Sequence, residues 1–346
     1  MQSTIIFRVM LALQVVPIVA LSIGHSLFSK QGINSLVLEG SKIFAGTKRG
    51  DLLILEHPNG PIEVTTQITK ADTKTFPVYS LASSPEFVFC GCGDRYISVL
   101  DNTEGERRYS QGLRLGPHTG WVKDLYLDSR SGILFSIGCN CIEAWGLTAE
   151  GTWEHMKKRS IESSPTEGST LSSDLLCLCS GDPSNDFFYA GGVDGRIHVW
   201  STDIIIDQPL LSVGAHTGRL NCLMYDCDSD LLFSAGHDGM LQCRRAGLQL
   251  DEPIATFELG EDARVTAGAL IKSSDSSLEL ILGCSNGVLA LLRVAFDKDG
   301  VSISELHRMS LSDDCSVRSL LMLPTEIGPP AVLVGHSKGL DLVNLS

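Results

Sequence analysis

Residues 188 to 200, FYAGGVDGRIHVW, set two apolar runs on either side of a Val-Asp-Gly corner and end on a tryptophan. β-Branched and aromatic residues flank Asp194-Gly195, a pair suited to the left-handed backbone of a tight two-residue hairpin turn. A lone hairpin is marginal in water, so the pattern predicts a larger sheet around it. The rest of the chain repeats it. LLFSAGHDGMLQCRR (231–245) matches nearly position by position, with Asp238-Gly239 at the corner. KIFAGTKRGDLLILE (42–56), FVFCGCGDRYISVLD (87–101), ILFSIGCNCIEAWG (133–146), LILGCSNGVLALLR (280–293) and VLVGHSKGLDLVNL (332–345) are weaker copies, making seven.

The corner positions Gly50, Arg95, Cys141, Gly195, Gly239, Gly287 and Gly339 lie 45, 46, 54, 44, 48 and 52 residues apart. Four strands with their turns fill such a period. Each copy is preceded by another apolar strand (INSLVL, VYSLAS, WVKDLYL, LLCLCS, LNCLMYD, VTAGALI, VRSLLML). More polar strands such as PIEVTTQI, QPLLSVG or PIATFEL separate the copies. The unit is a four-stranded antiparallel sheet, and the fold class is all-β. The last copy stops at Ser346, one strand short, while a spare segment IGHSLFSK (23–30) precedes the first. That segment is expected to supply the missing outer strand and leave no large sheet edge open.

Two copies are introduced by GPHTG (116–120) and GAHTG (214–218). With Trp145 and Trp200 closing their third strands, the chain resembles the WD-repeat β-propellers over residues 23 to 346. Family units carry Gly-His before the first strand and Trp-Asp after the third. Here His118 and His216 follow Pro117 and Ala215, neither Trp145 nor Trp200 precedes an Asp, and Asp101 stands without a Trp. The resemblance implies a seven-bladed propeller. It also implies a structural hydrogen-bond network joining a loop His, a strand hydroxyl, a turn acid and the Trp. In one blade the set is His216, Ser234 and Asp238, with Arg244 at the Trp position; in another it is His118, Ser136, Asn140 and Trp145. Asp194 and Trp200 are the parts that a third blade retains. Ser, His and Asp together invite a hydrolase triad, but as shared parts of a repeat they read as scaffold. The implied function is a non-catalytic platform for protein partners in a multiprotein complex, with no cofactor, metal or small-molecule substrate. Some relatives serve as ubiquitin-ligase substrate receptors through a Trp-Asp-x-Arg box; the equivalent run here, WSTD (200–203), lacks the Arg.

The chain has 346 residues, of which 43% are hydrophobic, enough for a substantial core. Its formal net charge of −14 argues against direct binding of nucleic acid, and the one basic run is Lys157-Lys158-Arg159. Residues 1–22 combine Arg8 with an apolar stretch from Val9 to Leu21 and read as a signal or targeting segment. Gln14 and Pro17 interrupt it, so it is too short for a membrane span. The domain is then 23–346. Eleven cysteines form Cys-x-Cys pairs at 90/92, 139/141 and 177/179 but no Cys-x-x-Cys pair. Residues two apart on a strand share a face, so these pairs read as small packed side chains.

GCSNG (283–287) matches the Gly-x-Ser-x-Gly nucleophile elbow and makes Ser285 the candidate of an alternative hydrolase reading. The elbow requires a strand, a sharp turn and a helix, whereas here the motif falls on a hairpin corner of the repeat. Metalloprotease, phosphate-loop, dinucleotide and calcium-loop motifs are absent from the sequence. Two regions are expected to bind partners. One is the long connection 146–173, with Trp153, His155, Lys157, Lys158 and Arg159. The other is the rim bearing His118, Thr119, Trp121, His216, Thr217 and Arg219.

Overall fold

The computed structural model describes residues 21–28, 31–56, 63–68, 76–103, 111–161, 174–181, 186–250, 252–260, 262–271, 277–298, 300–311, 315–324 and 330–345. They form seven four-stranded antiparallel sheets. Blade 1 contains β2 (Ile33–Glu39), β3 (Lys42–Thr47), β4 (Leu52–Glu56) and β5 (Glu63–Ile68). Blade 2 contains β6 (Val78–Ser83), β7 (Phe87–Cys92), β8 (Ile97–Asp101) and β9 (Gln111–Leu115). Blade 3 contains β10 (Asp124–Asp128), β11 (Ile133–Gly138), β12 (Cys141–Leu147) and β13 (Trp153–Ser160). Blade 4 contains β14 (Leu175–Ser180), β15 (Phe187–Gly192), β16 (Arg196–Ser201) and β17 (Leu211–Gly214). Blade 5 contains β18 (Leu220–Asp226), β19 (Leu231–Gly236), β20 (Met240–Arg245) and β21 (Ala255–Glu258). Blade 6 contains β22 (Val265–Ile271), β23 (Ser277–Cys284), β24 (Val288–Asp297) and β25 (Gly300–Ser310). In blade 7, β26 (Val317–Met322), β27 (Ala331–His336) and β28 (Gly339–Leu345) are completed by β1 (Leu21–Phe28).

The first strand of each blade lies against that of the next, and β26 returns to β2, so the ring closes around a central channel. β1 pairs with β28 from Leu21 opposite Leu345 to Phe28 opposite Leu340. The closing strand therefore begins two residues before the expected segment 23–30, and a cut after Ser22 would remove its first two rungs.

Second and third strands are covered on both faces by neighbouring blades, which is why they read as near-continuous apolar runs; all six residues of β15 are buried. The recurrent glycine of the second strand has a packing cause. A Cβ at Gly46, Gly91, Gly191, Gly283 or Gly335 would overlap Val78, Val122, Leu220, Val317 or Ile33 of the adjacent inner strand. These five blades thus pack at one shared rung, glycine against the first apolar residue of the next blade.

The turns differ from a two-residue hairpin. In blade 4 the Gly195 amide donates to Gly192 O, and only Gly195 is left-handed, with φ 76°. This is a three-residue turn ending in a left-handed bulge. Gly50, Arg95, Gly239 and Gly287 repeat it with φ between 72° and 91°. A Cβ at Gly195 would also strike His216 O. The acid before the left-handed residue holds the turn: the amides of Tyr96, Arg196 and Met240 donate to Asp94, Asp194 and Asp238. In blade 3 the corner is instead Cys139-Asn140, with Cys139 at φ 56°, and Cys141 opens the following strand. Cys139 and Cys141 therefore do not share a strand face. All eleven cysteines are unbridged, and Cys227 is exposed.

Much of the connection 146–173 is strand. Trp153–Ser160 is the outer strand of blade 3, and its charged residues other than Arg159 lie on an exposed sheet edge rather than in a loop. Residues 162–173 lie outside the described residues, as do 1–20. Among the described residues no helix is long and apolar enough to cross a membrane.

Candidate functional site

The inner strands build the channel in layers. In β2, β6, β14, β18, β22 and β26 the register slips at the first rung, leaving Asn34, Tyr79, Leu176, Asn221, Thr266 and Arg318 as extra residues. Val122 packs on Gly91 as Val78 packs on Gly46, so Lys123 takes the same place in blade 3. These residues line a channel of about 490 Å³. Several also tie one blade to the next. Asn34 Nδ2 donates to Val78 O at 3.0 Å, Asn221 Nδ2 to Val265 O at 2.8 Å and Thr266 Oγ1 to Val317 O at 2.7 Å. Arg318 Nη1 donates to Asn34 Oδ1, which joins blade 7 to blade 1.

One layer deeper stands Asp124, where other blades place Ser35, Ser80, Cys177, Cys222, Ala267 and Ser319. Its Oδ2 accepts the Leu178 amide at 2.7 Å across the blade 3–4 boundary. Burial raises its carboxyl to about 6 against the pull of the Leu178 and Leu125 amides.

At the mouth, Trp121 stacks on Tyr79 with centroids 5.6 Å apart and planes 19° from parallel. Lys123 Nζ lies over both rings, 4.5 Å from the Tyr79 centroid and 4.6 Å from that of Trp121. Trp121 is nonetheless 54% exposed. Burial lowers the Lys123 ammonium, with Arg219 adding to the effect, and burial together with Arg219 and Arg264 lowers the His237 imidazole. Arg219 and Arg264 immediately precede β18 and β22, the position that Trp121 holds ahead of Val122 in blade 3.

Of the residues expected on the rim, Trp121 and Arg219 are at the mouth, while His118 and His216 are sealed inside their blades. In blade 5, His216 Nδ1 donates to Asp238 at 2.9 Å, and Nε2 lies 3.0 Å from Ser234 Oγ. Burial alone would raise the Asp238 carboxyl, but His216 and the Met240 and Thr217 amides hold it below its usual value. The hydroxyl is buried, so no substrate reaches it as a nucleophile. Arg244 turns to Gln242, with Nη1 2.6 Å from Oε1.

In blade 3, Trp145 Nε1 donates to Ser136 Oγ at 2.8 Å, and His118 Nε2 lies 2.8 Å from the same oxygen. The acid of this set is Glu143, 3.4 Å from His118 Nδ1; Asn140 instead reaches Ile161 O. Burial pushes the His118 imidazole down to about 4, with Lys158 and His155 adding to it. His118, Cys141 and Glu143 offer ligand atoms within 4.8 Å of one another. The group is internally engaged: Glu143 also faces His155 at 3.6 Å and Lys158 at 4.0 Å, and the Cys141 thiol donates to Gly138 O at 2.9 Å. Burial raises that thiol, which opposes the thiolate a metal requires. Because Ser136 serves two ring nitrogens, Ser136→Ala is expected to cost about 2–3 kcal/mol, against about 1–2 for Ser234→Ala. Chemical denaturation of the two variants checks that order.

Blade 4 keeps only fragments of the network. Asp194 caps its own turn, and Trp200 is fully buried with its Nε1 making no hydrogen bond among the described residues. The WSTD run is thereby folded inward at Trp200, while the Asp203 carboxylate accepts the Ile205 amide. Ser285 sits in a hairpin turn followed by strand β24, so the helix that a nucleophile elbow requires is missing.

Two residues expected to meet partners are core residues. Trp153 is buried, edge-on to Phe87 and Phe89. Arg159 is 1% exposed and crosses into blade 4, where Nη1 donates to Ser201 O at 2.7 Å. His155, Lys157 and Lys158 stay at the blade edge, Lys157 paired with Asp207 at 2.7 Å. The residues that sequence reasoning missed are Tyr79, Lys123, Asp124, Glu143, Arg264 and Arg318.

Residues 166–201 and 207–243 match the family model for the WD domain, G-beta repeat. These spans fall on blades 4 and 5. No curated protein matches the chain in sequence. Among solved structures, the WD40 β-propeller domain of Doa1 superposes with a TM-score of 0.66 at 15% identity, over 95% of this chain and 97% of that one. Two repeats that match the WD-domain model, five further copies on the same plan and a ring closed by its N-terminal strand make this chain a seven-bladed β-propeller that resembles the WD-repeat family.

Proposed function

We propose that the chain is a non-catalytic interaction scaffold that takes partner proteins at the channel mouth, with Trp121 as the anchor. The observation that carries this reading is the exposed Trp121 held flat by Tyr79 and Lys123. A ring braced by Tyr79 and Lys123 loses little freedom on binding, and such aromatics commonly dominate interface energies. The surrounding propeller is stapled blade to blade, so the face is preformed. The test is affinity capture with tagged chain and its Trp121→Ala variant. The ring packs outside the core, so the variant is expected to fold while losing most captured partners. An unchanged partner set would refute the channel mouth as the docking face.

A further inference from the structure

We infer that the channel mouth receives an acidic segment of a partner protein, one carrying several Asp or Glu carboxylates. This rests on the docking reading above and names what docks there. In a chain of net charge −14, four cations from different blades gather about one opening: Lys123 of blade 3 and Arg318 of blade 7 line the channel, while Arg219 of blade 5 and Arg264 of blade 6, each just ahead of its inner strand, lie close enough to act on the channel-lining His237. None of the four has a carboxylate oxygen within ion-pair distance among the described residues. Lys123 rests on two aromatic rings, and Arg318 bonds the neutral Asn34 side chain. By contrast, Arg114, Arg293 and Arg308 pair with Asp94, Glu279 and Glu305 at 2.6 to 2.7 Å.

The acids near the mouth offset this charge only in part, since burial and Arg219 outweigh the pull of Asp174 on Lys123. Asp174 acts on Lys123 from the head of blade 4, Asp238 is engaged by His216, and Asp124 lies a layer deeper. Exposed Asp262 stands two residues before Arg264 without an ion pair to it. Burial and the neighbouring Arg219 make the Lys123 charge costly, and an anion arriving there relieves both effects.

The arrangement of the cations selects the kind of anion. They stand one per blade around the opening, so they match a run of singly charged groups better than one compact dianion. A nucleic acid would extend its phosphates past the mouth onto an acidic surface that repels them. A short acidic peptide confines its charge to the opening, with an apolar side chain free to lie on Trp121.

Selection from a random ten-residue peptide library against the full chain, followed by fluorescence anisotropy of the winning peptides, tests the inference. The selected pool is expected to be enriched in Asp and Glu. Binding is expected to weaken at least tenfold in the Arg219→Ala/Arg264→Ala double variant and between 50 and 200 mM salt, about the loss expected for several charge contacts. Circular dichroism melts of the double variant confirm that it folds. A neutral or basic pool, no enrichment, equal binding by the double variant, or tighter binding of a ten-residue oligothymidylate each overturns the inference. Neutral peptides that lose affinity on Trp121→Ala but not in the double variant would leave the docking face standing and remove only its acidic preference. Binding indifferent to Trp121 as well would remove both.

Discussion

Replacing Arg159 with alanine is expected to destabilise the propeller by on the order of 3 kcal/mol, while Arg159→Met stays within about 1 kcal/mol of the parent. The guanidinium carbon lies 5.3 to 5.8 Å from the ring centroids of Trp200, Phe135 and Phe188, between blades 3 and 4. Alanine leaves a void among three large rings and strips Ser201 O of its donor. Methionine refills most of the volume with a flexible apolar chain. Burial already lowers the guanidinium to about 10, despite Asp207 and Asp203, so its charge is held at a cost. Its Nε and Nη2 make no hydrogen bond among the described residues. Urea denaturation of both variants separates the contributions. Equal losses would assign the energy to the Ser201 hydrogen bond, and unequal losses to packing. Neither variant should alter partner capture at the mouth, since Arg159 lies in the blade core.

That an arginine in a basic run is a core residue shows what hydropathy alone conceals. LysLysArg reads as a solvated patch because three charges in succession are normally exposed, yet in an outer strand alternate residues face opposite ways. Arg159 therefore points into the sheet interface while Lys158 points out. The blade plan was legible for a physical reason: strands covered on both faces must be apolar throughout, and tight packing between blades demands a small residue at one rung. The channel was less legible, because its residues do not resemble one another. They emerge when the seven inner strands are aligned, INSLVL, VYSLAS, VKDLYL, LLCLCS, LNCLMY, VTAGAL and VRSLLM, and the second position is read down the set. That column gives Asn34, Tyr79, Lys123, Leu176, Asn221, Thr266 and Arg318, all of which line the channel. Glu143 was missed for a different reason. The shortened turn of blade 3 moves the acid from the corner to the third strand, so a search at the corner finds Asn140.

Asp124→Asn is expected to stabilise the protein at pH 8 by on the order of 2 kcal/mol and to give no gain at pH 4. The folded carboxyl lies near 6 against 3.8 for a free aspartate, so the folded state binds protons more tightly. Stability therefore falls as pH rises from 3.8 to 6, and above 6 the full cost is present. A shift of about two units is worth on the order of 3 kcal/mol, which channel water reduces because Asp124 lines the channel rather than a dry core. His118 acts in the opposite sense. Its folded imidazole lies near 4 against 6.5, so its contribution is present above 6.5 and lost as pH falls towards 4. In the parent these two dependences largely offset one another between pH 4 and 6. The Asn variant removes one of them, so its melting temperature should fall more steeply on acidification than that of the parent. Parallel melting curves across this range would show that Asp124 is not the compensating group. Removing a negative charge below Lys123 also leaves the mouth more cationic, so the stabilised variant should bind acidic peptides at least as tightly as the parent. Weaker binding would mean that the carboxylate positions Lys123, and that its cost to stability is retained for that purpose.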